Sequence, residues 1–385
     1  MKIVHISHTY LDGYTYQDND LSEAHAKLGH DVTVISTQDY AGCFYFPIKY
    51  FHKEALYYYG KCKIIRLPLK YKCNYRFAVY DKLYETLINE NPDLIYFHTI
   101  PYFCYYDIIK YKRKKNCKLV VDFHCDSYNS AKNIITKYLL HHTLYRCIIQ
   151  LTKRYVDQYY AVTPGSIDFV YTMYGLDKNR IKLLPLGGDL DKIKLYNNNN
   201  IRKQTRKELD ILDNQIVIVT AGKINSEKKT IDLIKSVKMF HNNNIVLLII
   251  GPIENEYKIE LEKQIENQSE IKLLGWKDPI EIYRYFFASD LACFPGTQSV
   301  IWQQAICCGL PLICRYWPGG EYLDCGGNVV FIKENSAIGI YNIIKNILDS
   351  DSILKKMQHI SQTIGIDRFS YMNIAQTILN DVFHT

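Results

Sequence analysis

No Cys-x-x-Cys pair occurs in the 385 residues, although they include 12 cysteines, and Cys307 and Cys308 are adjacent. No His and Cys residues stand at zinc-binding spacing either, which removes a structural zinc module. Cysteines such as Cys293 and Cys314 lie in apolar stretches, where a thiol behaves as a small hydrophobe. Free thiols in a reducing cytoplasm are therefore expected, not a disulfide framework. Apolar stretches such as Ile245–Ile250 fall well short of the ~20 residues that a spanning helix needs, so an integral membrane protein is not expected. Residues Met1 to Ser7 read as a strand, not as the apolar core of a secretion signal. The turn His8–Tyr16 lacks G-x-G-x-x-G, which argues against a nicotinamide enzyme, and no repeat of solenoid length is visible.

What is present describes a soluble globular chain. Hydrophobic residues make up 48% and charged residues 23%, and the length calls for two domains. The net charge of +7 favours anionic partners without amounting to a nucleic-acid footprint, and no nucleic acid is expected. Its densest run is Lys110, Lys112, Arg113, Lys114 and Lys115, which reads as a solvated helix end or as a contact with an anionic membrane surface.

Short β-rich runs alternate with longer helical patterns, the signature of βαβ units and parallel sheets. Strands are expected at Lys2–Ile6, Asp31–Ser36, Lys63–Leu67, Asp93–Phe97, Lys118–Val121 and Gln158–Val162, with a helix over Asp20–Leu28 capped by Gly29. The polar stretch Asn197–Asn200 interrupts the pattern. It restarts at Gln215–Thr220, a helix Thr230–His241, and strands at Ile245–Ile250, Ile271–Leu274, Leu291–Phe294, Leu310–Cys314 and Val329–Ile332. The fold class is α/β, with two doubly wound, Rossmann-like domains and ligands expected at the carboxyl ends of the strands.

Two segments carry candidate chemistry. In Ala221-Gly222-Lys223-Ile224-Asn225-Ser226-Glu227-Lys228-Lys229 a glycine turns the chain at a strand's end, and Lys223 and Lys228 have the spacing to meet on one diphosphate. An ordinary basic loop has the same spacing. In Leu291–Ala305 a buried strand runs through Pro295-Gly296-Thr297-Gln298-Ser299-Val300 into a helix. Backbone N–H groups at that start suit a phosphate, and Gln303 or Gln304 suits ribose hydroxyls.

In this order the two segments resemble the second domain of retaining glycosyltransferases of the GT-B fold, glycosyltransferase family 4. Gly222-Lys223 and Glu227-Lys228-Lys229 stand where the family has glycine-arginine and glutamate-lysine-glycine, and Gln304-Ala305-Ile306-Cys307-Cys308-Gly309-Leu310-Pro311 fits its next signature. Gly29–Ile35, Asn91–His98, Val120–His124, Leu184–Asp189 and Phe369–Tyr371 are similar to its first-domain and closing segments.

The resemblance implies an acceptor domain at 1–190, a donor domain at 191–365, and a closing helix at 366–385 that returns to the first, with the two domains facing a central cleft. Lys223 and Lys228 would clamp the donor diphosphate, with Gly222, Gly296, Gln298, Ser299, Val300, Gln303 and Gln304 forming the rest of the donor site. Gly13 would let the first loop approach the sugar phosphate, and His124 would stand near the transferred sugar or acceptor. His98 reads as structural. The expected partners are a nucleoside diphosphate sugar, uridine-linked, and a saccharide or lipid-linked saccharide acceptor in cell-surface polysaccharide biosynthesis. Neither a metal nor another cofactor is expected.

Departures qualify the match. The family frames its glycine loop with two acids where this chain has Gly296 and Gln304, and some relatives place the second acid at the position of Gln303. An amide keeps the hydrogen bond but loses the charge. Lysine at 223 also gives up arginine's bidentate fork. Asp189-Leu190-Asp191 is a D-x-D in an inter-domain position, a frequent chance pattern. A nucleotide-sugar epimerase and a non-catalytic binding homologue remain open alternatives. Tyr45, Tyr50, Tyr57, Tyr58 and Tyr59, interleaved with Lys49 and Lys53, suit either a tyrosine-rich core or a membrane interface holding a lipid-linked acceptor.

Overall fold

Alternation of apolar runs with helical segments leads to two parallel sheets, each able to carry helices on both faces. The computed structural model describes residues 1–39, 48–72, 78–98, 103–240 and 244–384; Tyr45 and the end of the expected helix at His241 lie outside them. The chain forms two compact units, Met1–Leu186 with Tyr371–Thr385, and Gly187–Ser370. The crossings thus fall a few residues from positions 190 and 366. Gly188 donates its N–H to the Phe369 carbonyl at 3.0 Å, and the Phe369 ring is buried in the second unit's core.

In the first unit the strands are β1 (Lys2–Ile6), β2 (Asp31–Thr37), β3 (Leu56–Tyr59), β4 (Cys62–Leu67), β5 (Leu69–Lys72), β6 (Ala78–Tyr80), β7 (Leu94–His98), β8 (Lys118–Phe123), β9 (Gln158–Ala161) and β10 (Ile181–Leu183). Eight of them form one sheet in the order β10-β9-β8-β7-β1-β2-β4-β3, parallel except for the edge strand β3. β3 lies in the tyrosine-rich stretch, outside the strands expected from the sequence. It pairs with β4 through a tight hairpin at Gly60, whose φ of +58° suits glycine.

Period-two alternation sorts the side chains of this sheet. Val4, Ile6, Ile95, Phe97, Leu119, Val121 and Phe123 fill one face. Ile3, Tyr96, Val120 and Tyr160 fill the other, with Leu21 and Ala24 of the helix Gln17–Lys27. The closing helix, Tyr371–Phe383, packs on this second face through Ile374, Ala375, Ile378, Leu379 and Val382.

The second unit holds β11 (Ile216–Ala221), β12 (Ile245–Ile250), β13 (Ile271–Gly275), β14 (Leu291–Phe294), β15 (Leu312–Arg315) and β16 (Val329–Ile332). All are parallel, in the order β13-β12-β11-β14-β15-β16. The order reverses between β11 and β14, which places the loops after these two strands side by side at the switch point.

Candidate active site

Those two loops bring Lys228 and Gly296 together. A Cβ on Gly296 would stand 2.3 Å from the Glu227 carbonyl oxygen and 2.3 Å from the Lys228 Cα, so only glycine fits. The Thr297 N–H donates to the Glu227 carbonyl at 3.1 Å, and Lys228 Nζ donates to the Thr297 carbonyl at 2.7 Å. A cavity of about 10 Å³ lies between the loops, bounded by Thr220, Lys228, Gly296, Thr297 and Trp302; it has room for about one water. Burial draws the Lys228 ammonium down to about 8, with the Glu227 carboxylate opposing. A desolvated ammonium held on a backbone carbonyl is ready to exchange that acceptor for an anionic oxygen.

Lys223 has a different partner. It is exposed and pairs with Glu254 at 2.5 Å, so the two lysines hold separate groups. Gly222, at φ +122°, donates its N–H to the Ile250 carbonyl at 3.0 Å, and its own carbonyl oxygen lies where a Cβ on Gly251 would come within 1.8 Å. Gly222 therefore packs the β11 loop on the β12 loop.

Ser299 and Val300 form the turn before the helix, which runs from Ile301 to Cys307 and is only 7 residues long. The Trp302 N–H is already bonded to the Ser299 carbonyl at 3.2 Å. Gln298 and Gln303 both donate their amide nitrogens to the Tyr322 hydroxyl, at 2.8 and 2.9 Å, and Gln303 and Gln304 are buried. Glu254, Thr297 and Tyr322 were not singled out from the sequence, because each acts through a contact distant along the chain. Asp189 caps the helix Leu190–Lys194 by accepting the Asp191 N–H at 2.9 Å. Among the described residues no cluster of His, Cys, Asp and Glu has metal-site geometry.

In the first unit the strand-end histidine His124 keeps 32% of its side chain exposed and sets Nε2 3.4 Å from Oδ2 of the fully buried Asp122. His98 Nδ1 lies 3.3 Å from the same oxygen, and the Tyr96 hydroxyl donates to it at 3.0 Å. Burial opposes the Asp122 charge, yet His124 and His98 hold its carboxyl well below the usual range. Burial also disfavours a charged His124, but Asp122 outweighs it and raises that ring's pKa. The sequence signal for Asp122 was its place in Asp122-Phe123-His124, two residues before the histidine on the same face of the strand.

Gly13 sits in a clamped loop at φ +77°, where a Cβ would approach the Tyr59 hydroxyl to 3.3 Å. The Asp12 N–H donates to the Tyr50 carbonyl at 2.8 Å, and the Tyr57 hydroxyl donates to Asp12 Oδ1 at 3.0 Å. Buried Arg66 donates to the Tyr10 carbonyl and the Tyr57 hydroxyl, at 2.9 and 2.8 Å. Tyr57 thus serves the loop's architecture, whereas Tyr58 is 72% exposed. In the basic run, Lys112 pairs with Asp157 at 2.7 Å and Lys110 lies over the Tyr84 ring at 4.2 Å.

Comparison with known proteins shows the family and the fold. Residues 19–192 match the model for Glycosyltransferase Family 4, and residues 201–363 match Glycosyl transferases group 1. An uncharacterised glycosyltransferase of Methanocaldococcus jannaschii is 26% identical over 191 residues, a match spanning 46% of this chain and 45% of that protein. A Rickettsia africae glycosyltransferase superposes with a TM-score of 0.71 at 15% identity, covering 98% of this chain and 97% of its own. Anabaena HepE, solved with UDP and glucose, superposes with a TM-score of 0.68 at 18% identity over 100% of both chains. No described helix is long and apolar enough to cross a membrane.

Proposed function

Because the chain belongs to the GT-B glycosyltransferases of family 4, we propose that it moves a sugar from a uridine diphosphate sugar to a saccharide or lipid-linked saccharide acceptor. The transfer retains configuration at the anomeric carbon and serves cell-surface polysaccharide assembly. The observation that carries the donor half of this reading is Lys228, half-buried against the Gly296 loop and held on the Thr297 carbonyl. As the leaving diphosphate gains charge, this ammonium stabilises it where water is scarce, without a metal. Lys223 adds a second, more solvated charge, and its pairing with Glu254 orients it.

The uridine preference is supported by HepE, whose complex holds UDP. With Gly296 and Gln304 in place of the framing acids, ribose recognition falls to neutral hydrogen bonds, and the lysines supply most of the donor affinity. His124 stands beside the transferred sugar, where its partly exposed ring is able to meet a hydroxyl. Lys110, Arg113, Lys114 and Lys115 form the side that approaches an anionic leaflet from the cytoplasm.

Calorimetry with UDP, followed by a donor panel read by nucleotide release with and without a lipid extract, tests the reading. Release stimulated by the extract is the expected result. Absence of UDP binding would leave a non-catalytic homologue, and donor turnover without any acceptor would point to an epimerase.

A further inference from the structure

The helical stretch after His124 is apolar on the side where a surface helix ordinarily carries charge. Thr136–Tyr145 is wound as a π-helix and Arg146–Thr152 continues it as an α-helix, with Ile134 and Ile135 as helical residues at the start. Its inner side is packed. His141, Tyr145 and Ile149 are buried against the first unit's core, and His141 Nδ1 lies 2.8 Å from the Tyr174 hydroxyl. The Gln150 amide donates to the Tyr174 and Gly175 carbonyls, both at 2.8 Å.

The outer side faces water. Ile134, Ile135, Leu139 and Leu151 are between 67% and 77% exposed, and Tyr138 is exposed beside them. The π winding, with bonds from i to i+5, brings residues four and five apart onto one side. It gathers Ile134 and Ile135 with Tyr138 and Leu139. A contiguous apolar face of this kind marks a contact with another protein or with a membrane.

Charge decides between these. From Ser127 to Val156 the sequence has no Asp or Glu, whereas it has Lys132, Lys137, Arg146, Lys153 and Arg154. Lys137 Nζ stands 5.5 Å from the centroid of the Tyr138 ring, at the edge of the apolar face. At the far end Arg154 and Arg113 bear on the Tyr155 ring, at 4.8 and 5.9 Å, which joins this helix to the basic run at 110–115. Two copies of the face meeting across a two-fold axis would set like charges together. Anionic lipid suits both parts: the aliphatic side chains enter the acyl boundary, the tyrosine sits at headgroup level, and the cations meet lipid phosphates.

We propose that Ile134, Ile135, Tyr138, Leu139 and Leu151 insert into the interfacial layer of an anionic bilayer, while the basic run at 110–115 contributes attraction alone. The use of this contact in transfer rests on the lipid-linked acceptor proposed above. The turn that leads from His124 to the helix is tightly bonded: the Asn129 amide donates to the His124 carbonyl at 2.8 Å, and Asp126 accepts the Tyr128 and Asn129 N–H groups at 2.8 Å. A bilayer that seats the helix therefore also sets the position of His124 relative to the headgroups. Insertion and adsorption differ in their response to salt, because ions screen the attraction between surface charges but not the burial of apolar side chains.

The test sediments the full chain with vesicles of phosphatidylcholine alone and of phosphatidylcholine with phosphatidylglycerol, at low and at high salt. The wild type is expected to bind the phosphatidylglycerol vesicles at low salt and to keep part of that binding at high salt. The double variant Ile135→Ser with Leu139→Ser is expected to lose at least about ten-fold in vesicle affinity, including the salt-resistant part. Its melting temperature should stay near that of the wild type, since both side chains already face water. Lys114→Gln with Lys115→Gln should weaken binding at low salt and leave the salt-resistant part. A wild type that ignores both kinds of vesicle, or a double serine variant that binds as the wild type does, would overturn the proposal. So would a wild-type dimer in light scattering that the serine variant abolishes, which assigns the face to a second copy. Calorimetry with UDP on the same samples tests the donor reading separately, and vesicle binding without extract-stimulated nucleotide release would leave this face standing and refute the lipid-linked acceptor.

Discussion

In the first unit the sheet face under the helix Gln17–Lys27 packs against a buried cluster of His5, His25, His98 and Asp122, whereas the buried strand residues of the second unit are Ile, Val, Leu, Ala, Cys and Phe294, with Thr220 polar but uncharged. The second unit keeps the charge of its candidate site beyond the strand ends, on Lys223 and Lys228. The difference teaches where each unit can tolerate change. A buried, paired charge is part of the fold, because removing one partner strands the other in a medium that cannot solvate it. A desolvated lysine on a loop costs the fold something and contributes its charge when a ligand arrives.

The sharpest test of this contrast is Asp122→Asn. It leaves His98 and His124 facing a neutral amide in place of the buried carboxylate they pair with, and a loss of about 3–5 kcal/mol in unfolding free energy is expected from urea titration. Lys228→Ala should do the reverse. Its kcat/KM is expected to fall several-hundred-fold, on the order of 3–4 kcal/mol in transition-state stabilisation, while its melting temperature stays near that of the wild type. The same lysine predicts a pH effect: UDP affinity should weaken as pH climbs through about 8, where its ammonium deprotonates. A Lys228→Ala protein with normal turnover would remove the donor mechanism.

Acid should separate the units next. The Asp122 carboxyl is held low in the fold, so its stabilisation is complete above the unfolded value of about 3.9 and fades as pH falls below it. His5 and His25 are held neutral, so protonation favours unfolding once pH drops below the unfolded value of about 6.5. Hydrogen exchange between about pH 7 and about pH 3, conditions spanning those values, is expected to show amides of β1, β7 and β8 losing protection before those of β11 and β12. The smallest effect belongs to Lys223→Ala. This lysine is solvated and already paired with Glu254, and steady-state kinetics should show a loss of only several-fold, about 1 kcal/mol.

The sequence by itself determined the two-sheet α/β plan and the elements of the candidate donor site. Apolar runs at strand length and helical segments between them leave few other ways to bury this chain, and Gly222, Lys228 and Gly296 follow strands in a fixed order. It did not reveal β3, because Leu56-Tyr57-Tyr58-Tyr59 carries no clear alternation and owes its pairing to the hairpin at Gly60. Nor did it separate the two lysines: spacing treats them alike, and Glu254 and the Thr297 carbonyl distinguish them through contacts distant in sequence. The amides of Gln298 and Gln303 were legible as hydrogen-bonding groups, but Tyr322 engages both.

Only the tertiary structure decided the histidine row. His5, His25, His98 and Asp122 come from β1, a helix, β7 and β8, and each alone is a polar residue on an apolar strand or helix. Sheet order places β1, β7 and β8 side by side, and the pleat turns their polar side chains to one face. Which ring nitrogens meet is a property of that assembled row, and no local stretch of sequence contains it.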